Sequence, residues 1–325
     1  MHINEKFNEN RPVFSFEVFP PKKNSASVES IYQAISELQE LKPDFISVTY
    51  GAGGNPSDTN TRDIAAYIKD NYHIDTMAHL TCVNADKGSI DSILSDLSSH
   101  GIDNILALRG DINPNIPPKK DFLHASDLIT YIKNSPYDFG IAGACYPEVH
   151  SEAKNAIEDV HYLKHKVDSG AEVLVSQLFF DNNAFYAFRE RAEIAGVNVP
   201  ISAGIMPVTS KSQIERMVTM CGASMPAKFT HIMQRYGDNP QALTDAGIAY
   251  AIDQIIDLLA HGVQGIHLYT MNKPYVAQKS KKASKICCNN ARDIYASVRL
   301  FNQQRRGSAL FRLAKRAAGR KCGAL

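Results

Sequence analysis

The sequence predicts an α/β protein, a (β/α)8 TIM barrel folded as a single domain, and three observations carry the prediction. Eight short apolar runs rich in β-forming residues recur along the 325 residues. The segments between them place apolar residues at three- and four-residue steps, the period of a helix with one buried face. Successive runs start 27 to 35 residues apart six times, which fits one helix and two short loops each time; the last gap, 66 residues, has room for more than one helix.

In chain order the runs are VFSFEVF (13–19), DFISVTY (44–50), TMAHLTC (76–82), NILALRG (104–110), FGIAGACY (139–146), EVLVSQLFF (172–180), VPISAGIM (199–206) and GIHLYT (265–270). They read as nearly continuous apolar strands, as expected where both faces of a parallel sheet are covered. Helical periodicity follows the first run in Val28, Ile31, Tyr32, Ile35 and Leu38, and the third in Ile90, Ile93, Leu94 and Leu97. In the long gap Ile248, Ile252, Ile255, Ile256 and Leu259 repeat it. Asp and Ser in NPSD (55–58) and ASDL (125–128) suit helix starts, where they cap free amides. Gly101, Gly170 and Gly262 follow helical patterns, where a left-handed stop is wanted. Strand and helix alternating eight times is the pattern of a closed parallel barrel. An open doubly wound sheet is the other architecture, and no G-x-G-x-x-G follows the first strand to support it.

Composition is that of a globular protein, 44% hydrophobic and 21% charged. No apolar run approaches a membrane span, and the polar start MHINEKFNENRP is unlike a secretory signal. The six cysteines form no C-x-x-C pair, so reduced thiols and a cytoplasmic location are expected. The net charge of +1 hides an asymmetry: eight basic residues and no acid follow Ile294, which leaves the rest of the chain acidic and ill suited to nucleic acid.

Chemistry in such a barrel sits where strands end. Glu17 lies inside SFEVF, where a carboxylate is costly to bury unpaired. Burial favours the neutral form of a carboxyl group, which suits a general acid; pairing with a lysine or arginine is the structural alternative. Asp111 follows Arg109, and a salt bridge at a loop mouth is one reading of the pair. The glycine-rich stretch 51–54 could cradle phosphate but lacks the GK[ST] of a P-loop. His79 alone reads as a hydrogen-bonded core histidine. His79 and His150 do not have metal-ligand spacing, and no metal is expected. HYLKHK (161–166) reads first as a solvated helix face and second as a cationic wall for phosphate.

Eight co-linear motifs then carry a resemblance. FSFEVFPPK (14–22), KPDFISVTYGAGG (42–54), AHLTC (78–82), LRGD (108–111), ACYPEVHSEAK (144–154), QLFFD (177–181), GIMPV (204–208) and HLYTMNK (267–273) resemble methylenetetrahydrofolate reductases over roughly residues 10–300. The resemblance implies a (β/α)8 barrel and non-covalent FAD. It implies that NADH or NADPH reduces the flavin and that the flavin reduces 5,10-methylenetetrahydrofolate to 5-methyltetrahydrofolate in a ping-pong scheme. The setting would be one-carbon metabolism and methionine synthesis, and the protein a homo-oligomer.

Carried over by motif, Glu17 resembles the general acid and Asp111 the carboxylate between flavin and pterin. Thr49 matches a nicotinamide-side contact, and Gln177 the residue that meets folate and nicotinamide in turn. Tyr50, His79, Arg109, Gly110 and Asp111 resemble isoalloxazine and ribityl contacts, and Ala125, Tyr146, His150 and Ala153 further flavin contacts. Asp159, Tyr162, His165 and Lys166 fall in the stretch that holds the adenosine and pyrophosphate. Gln213, Tyr269 and Lys273 fall where folate is bound.

The chain departs from the family pattern at Met217, where relatives place an aromatic, and at Lys273, where some have arginine and its planar fork. Tyr162, His165 and the loop GAGGNPSDTNTRD differ as well. Residues 1–302 are expected to form the catalytic barrel and 303–325 a disordered basic tail. Two other functional classes remain on these grounds: a related pterin or flavin barrel carrying out methyl transfer or amino-acid oxidation, and a non-catalytic scaffold.

Overall fold

A computed structural model describes residues 1–9, 11–21, 28–50, 59–112 and 117–282. The stretch 51–54, the NPSD cap signal and the tail 303–325 lie outside the described residues. The eight strands are β1 (Val13–Val18), β2 (Phe45–Val48), β3 (Asp75–Thr81), β4 (Asn104–Leu108), β5 (Gly140–Cys145), β6 (Val173–Ser176), β7 (Ile201–Ile205) and β8 (Gly265–Tyr269). Each pairs in parallel with the next and β8 returns to β1, closing the barrel.

A short helix, α1 (Ile3–Lys6), precedes β1. One helix then follows each of the first six strands: α2 (Val28–Gln39), α3 (Asn60–Tyr72), α4 (Lys87–Ser99), α5 (Ala125–Lys133), α6 (Ala156–Asp168) and α7 (Asn182–Ile194). The long gap holds α8 (Lys211–Cys221), α9 (Ala227–Tyr236) and α10 (Pro240–Ala260). The periodic residues Ile31, Ile35, Leu38, Ile90, Leu94, Leu97, Ile255 and Leu259 all bury in the layer between strands and helices.

Local signals account for several boundaries. Asp86, Asn155, Asp181, Ser210 and Asn239 cap α4, α6, α7, α8 and α10 with side-chain oxygens on free backbone amides. In ASDL the cap works from inside the helix: Asp127, in the first turn of α5, accepts the backbone N–H groups of Leu123 and His124 at 2.9 Å. Gly101, Gly170 and Gly262 take φ of 67°, 122° and 69°, the expected left-handed stops.

The apolar run 172–180 is longer than its strand, which stops at Ser176. Phe179 leaves the sheet to stack on Phe185 of α7, and Phe180 to stack on Phe229 of α9. Its apolar character past Ser176 belongs to helix packing.

The barrel interior is layered. Val13, Phe45, Met77, Leu106, Ala142 and Val173 form an apolar floor with Ile3 and Phe7 of the α1 region. Above it the inward positions turn polar. Contacts between strands that are not neighbours, such as Glu17 of β1 with His79 of β3 and Ser47 of β2 with His267 of β8, can only cross the interior.

Candidate active site

Glu17 is 5% exposed and sits in the upper polar layer. No lysine or arginine pairs with it among the described residues; its neighbours are His79 and His267, each with Nε2 3.4 Å from Glu17 Oε2. The β1–β8 register places Glu17 beside Tyr269 and Ser15 beside His267. The end of β8 fastens this strand: Thr270 Oγ1 donates to the Glu17 carbonyl at 2.7 Å. Asn272 accepts from Phe19 N at 2.9 Å and donates to Phe19 O at 2.8 Å.

His79 is buried, and burial pushes its pKa down to about 4, against the smaller upward pull of Glu17. It is therefore neutral near pH 7. Its Nε2 is close to Glu17 but makes no hydrogen bond among the described residues, an orphaned polar atom of a residue that lines a cavity. Asn84 lines the same cavity, and its Oδ1 is also buried without a hydrogen-bond partner among the described residues.

That cavity, about 560 Å³, is bordered by Glu17, Thr49, Tyr50, His79, Arg109, Gly110, Asp111, Tyr146, His150, Gln177 and Tyr269. Glu17 and Asp111 thus open on one chamber. A second cavity of about 320 Å³ adjoins it and is lined by Ala125, Ala153, Asp159, Tyr162, His165 and Lys166. Arg109, Tyr146 and His150 border both and join them into one elongated site.

Individual residues are firmly held. Arg109 does not pair with Asp111. It grips Glu152 with two bonds of 2.5 and 2.7 Å, because the loop after β5 brings that carboxylate to the guanidinium fork. Asp111 is exposed and makes no salt bridge among the described residues. Gln177 accepts from Leu178 N at 2.8 Å, which fixes the orientation of its amide. Tyr269 donates to the Ser176 carbonyl at 2.8 Å, and burial holds its hydroxyl well above the usual tyrosine range. A Cβ on Gly204 would lie 2.2 Å from the Ser176 carbonyl and 2.8 Å from the Tyr269 ring, so this packing needs glycine. Tyr146 meets His150 edge to face at 4.6 Å, across a turn in which Val149 has φ 72°, a strained value for a β-branched residue.

HYLKHK divides between its two readings. His161 is exposed and Lys164 pairs with Asp168, whereas Tyr162, His165 and Lys166 line the second cavity. Lys166 donates to the Ala144 carbonyl, and burial lowers its pKa. Gln213 and Lys273 border neither cavity. They meet through Thr209, which donates to Gln213 Oε1 and accepts from Lys273 Nζ at 2.8 Å. Met217 packs beside them on α8 against the cluster of Leu178, Phe180 and Met206.

Sequence reading missed Ser15, Ser47 and His267 behind Glu17, and Glu152 behind Arg109. The signal for His267 was present: in GIHLY, Ile266 and Leu268 alternate with His267 and Tyr269, so the last two share the inward face.

A family model described as methylenetetrahydrofolate reductase matches residues 2–285. This chain belongs to the methylenetetrahydrofolate reductase family. It is 38% identical over 259 residues to the 5,10-methylenetetrahydrofolate reductase of Escherichia coli, covering 80% of this chain and 86% of the relative. It is 37% identical over 273 residues to methylenetetrahydrofolate reductase (NADH) 1 of Arabidopsis thaliana, but spans only 46% of that longer protein. Among solved structures, a Clostridium thermocellum protein that binds two copies of 5-methyl-5,6,7,8-tetrahydrofolic acid superposes with a TM-score of 0.63 at 17% identity, over 90% of this chain and 99% of that one. That likeness concerns the fold. Among the described residues no helix is long and apolar enough to cross a membrane, and no group of three or more His, Cys, Asp or Glu is placed to hold a metal ion.

Proposed function

We propose that this reductase-family chain converts 5,10-methylenetetrahydrofolate to 5-methyltetrahydrofolate with electrons from NADH or NADPH, using non-covalently bound FAD in a ping-pong scheme. One observation carries the reading: Glu17, Gln177, Tyr269 and Asp111 border one chamber, which continues into a second chamber lined by Asp159, His165 and Lys166. The residues suit FAD. The orphaned His79 Nε2 and Asn84 Oδ1 offer a donor or acceptor to a polar ring system, and His165 and Lys166 offer positive or donor groups to a pyrophosphate. Thr49, Tyr50, His79, Arg109, Gly110 and Asp111 would hold the ring end. Ala125, Tyr146, His150 and Ala153 would hold the middle, and Asp159, Tyr162, His165 and Lys166 the far end. When bound, FAD supplies the hydride relay between the two substrates.

The protein's own part is protonation, charge and placement. Glu17 donates a proton to the folate, opening its five-membered ring to an iminium ready for hydride. Asp111 places a carboxylate where positive charge develops and holds the pterin by hydrogen bonds. Gln177 and Tyr269 orient the substrates that use the chamber in turn, while Gln213 and Lys273 meet the folate at the mouth. NADH, in the name of the Arabidopsis relative, is the first donor to test.

The test is spectroscopic. The purified protein should be yellow, bleach with NADH under anaerobic conditions, and recover its visible band on addition of 5,10-methylenetetrahydrofolate. Glu17→Gln should keep the flavin and its bleaching by NADH but lose folate-driven recovery by ~10²–10⁴-fold. A colourless protein ends the flavin reading, and wild-type recovery in Glu17→Gln removes Glu17 from the chemistry.

A further inference from the structure

The second chamber is short of positive charge. Among the described residues two fixed cations line it, Arg109 and Lys166, against the carboxylates of Asp127, Glu152 and Asp159. Both cations are committed. Glu152 grips the Arg109 guanidinium with two bonds, and Lys166 donates to the Ala144 carbonyl while burial lowers its pKa. Asp127 is occupied by the amides of Leu123 and His124, and burial pushes Asp159 up. The diphosphate of a dinucleotide is a dianion at neutral pH, and it needs positive charge or donors in place of the water it leaves. Cys145, Tyr146 and Tyr162 also line the chamber, and none of them is cationic in any protonation state. The histidines of the wall remain: His124, His150 and His165. His150 Nδ1 accepts the Glu152 amide at 3.2 Å, which keeps that nitrogen free of a proton. His124 lies within electrostatic reach of Glu152. His165 differs from both. It is exposed, sits in the last turn of α6, and among the described residues no hydrogen bond or ion pair engages its ring. The negative end of the helix dipole there favours an imidazolium.

We propose that His165 supplies the missing charge by taking up a proton when the diphosphate of FAD binds, so that the protein holds its cofactor more tightly as pH falls. The proposal rests on FAD being the cofactor. The proton comes from solvent, adds to the imidazole ring, and returns to solvent when the dinucleotide leaves. An imidazole ordinarily gains its charge between about pH 5 and 8, and a neighbouring anion favours the charged form. The other groups on the wall act in the same direction. A proton gained by Asp159 or Glu152 removes a negative charge that repels the diphosphate, and one gained by Lys166 or His124 adds a positive charge that attracts it.

The experiment dilutes the holoenzyme at constant ionic strength between pH 6 and pH 8 and reads the released FAD by its fluorescence, which gives Kd. In the wild type Kd should rise ~10-fold from pH 6 to pH 8. His165→Asn should remove more than half of that rise on a logarithmic scale. His165→Arg, which stays charged throughout, should hold FAD at pH 8 within ~3-fold of the wild-type value at pH 6. The slope is the decisive readout, because a lost packing contact shifts Kd equally at both pH values. A wild-type rise under about threefold, a His165→Asn protein that keeps half of the rise or more, or a His165→Arg protein as pH-dependent as wild type overturns the proposal. So does a His165-dependent rise found in the KM for NADH and absent from the FAD Kd, which would give the chamber to the diphosphate of NADH. The two failures are distinguishable. A protein that carries no flavin at any pH ends the flavin reading, whereas a flavoprotein whose Kd ignores His165 ends only the proton linkage.

Discussion

A glutamate inside an apolar strand is tolerated when something answers its polarity, and at Glu17 the answer is a pair of histidines where an ammonium or guanidinium might have stood. The difference matters because a histidine can stay neutral and leave the carboxyl group free to exchange a proton. Glu17 was legible as a candidate from SFEVF; its partners were not, because they come from β3 and β8, far away in sequence. His79 carries a pH prediction. Burial depresses its pKa from 6.5 to about 4 in the folded protein, with a smaller upward pull from Glu17 and a smaller downward push from His267. Between those values the unfolded chain binds a proton that the folded chain refuses, so stability is full above the upper value and falls as pH drops towards the lower one. By pH 5 the loss from this group is about 2 kcal/mol. Urea unfolding at pH 7 and pH 5 should show His79→Gln losing less than wild type by that margin; equal losses would remove His79 as the cause.

Among elements, the junction of β8 and β1 decides how accurately Glu17 is placed. Thr270 and Asn272 bind backbone on both sides of Val18, and Met271 and Asn272 take left-handed φ of 50° and 54° to do so. Asn272→Ala loses two hydrogen bonds to the Phe19 backbone and puts alanine in a conformation that asparagine tolerates better. We expect a loss of about 2–3 kcal/mol, measured as a lower urea midpoint at an unchanged m-value. An unaltered midpoint would mean that the β8–β1 seam is held elsewhere. The helix periods, the helix start at ASDL, and the several helices of the long gap were readable along the chain, since each depends on near neighbours. The end of β6 was not: Phe179 and Phe180 look like strand residues until α7 and α9 are in place to receive them.

At the scale of the molecule, the barrel keeps stability and chemistry at opposite ends. The apolar floor around Val13, Phe45 and Met77 is closed by Ile3 and Phe7, and none of these five residues borders either of the two large cavities; the floor meets the larger one through Leu106 and Val175. Phe7→Ala should cost about 3 kcal/mol of stability by opening a void in the floor, while NADH bleaching and folate recovery at 25 °C remain near wild type. A matched loss of both activities in a folded Phe7→Ala protein would show that floor and site are coupled. Above the floor, Arg109, Tyr146 and His150 join two chambers into one elongated site.

The chain order of residues was enough to set eight strands, their helices and the family, because periodicity, caps and motifs are local properties of a sequence. It was also enough to name most of the residues that border the two chambers. Tertiary structure alone decided which side chains face one another across the barrel: that Glu17 meets His79 and His267, that Arg109 turns to Glu152 and away from Asp111, and that Gln213 and Lys273 gather at Thr209 outside the chambers. Those choices depend on how the strands close and where each inward position falls in height, and a linear pattern of polar and apolar residues does not encode the distance between two strands that never pair.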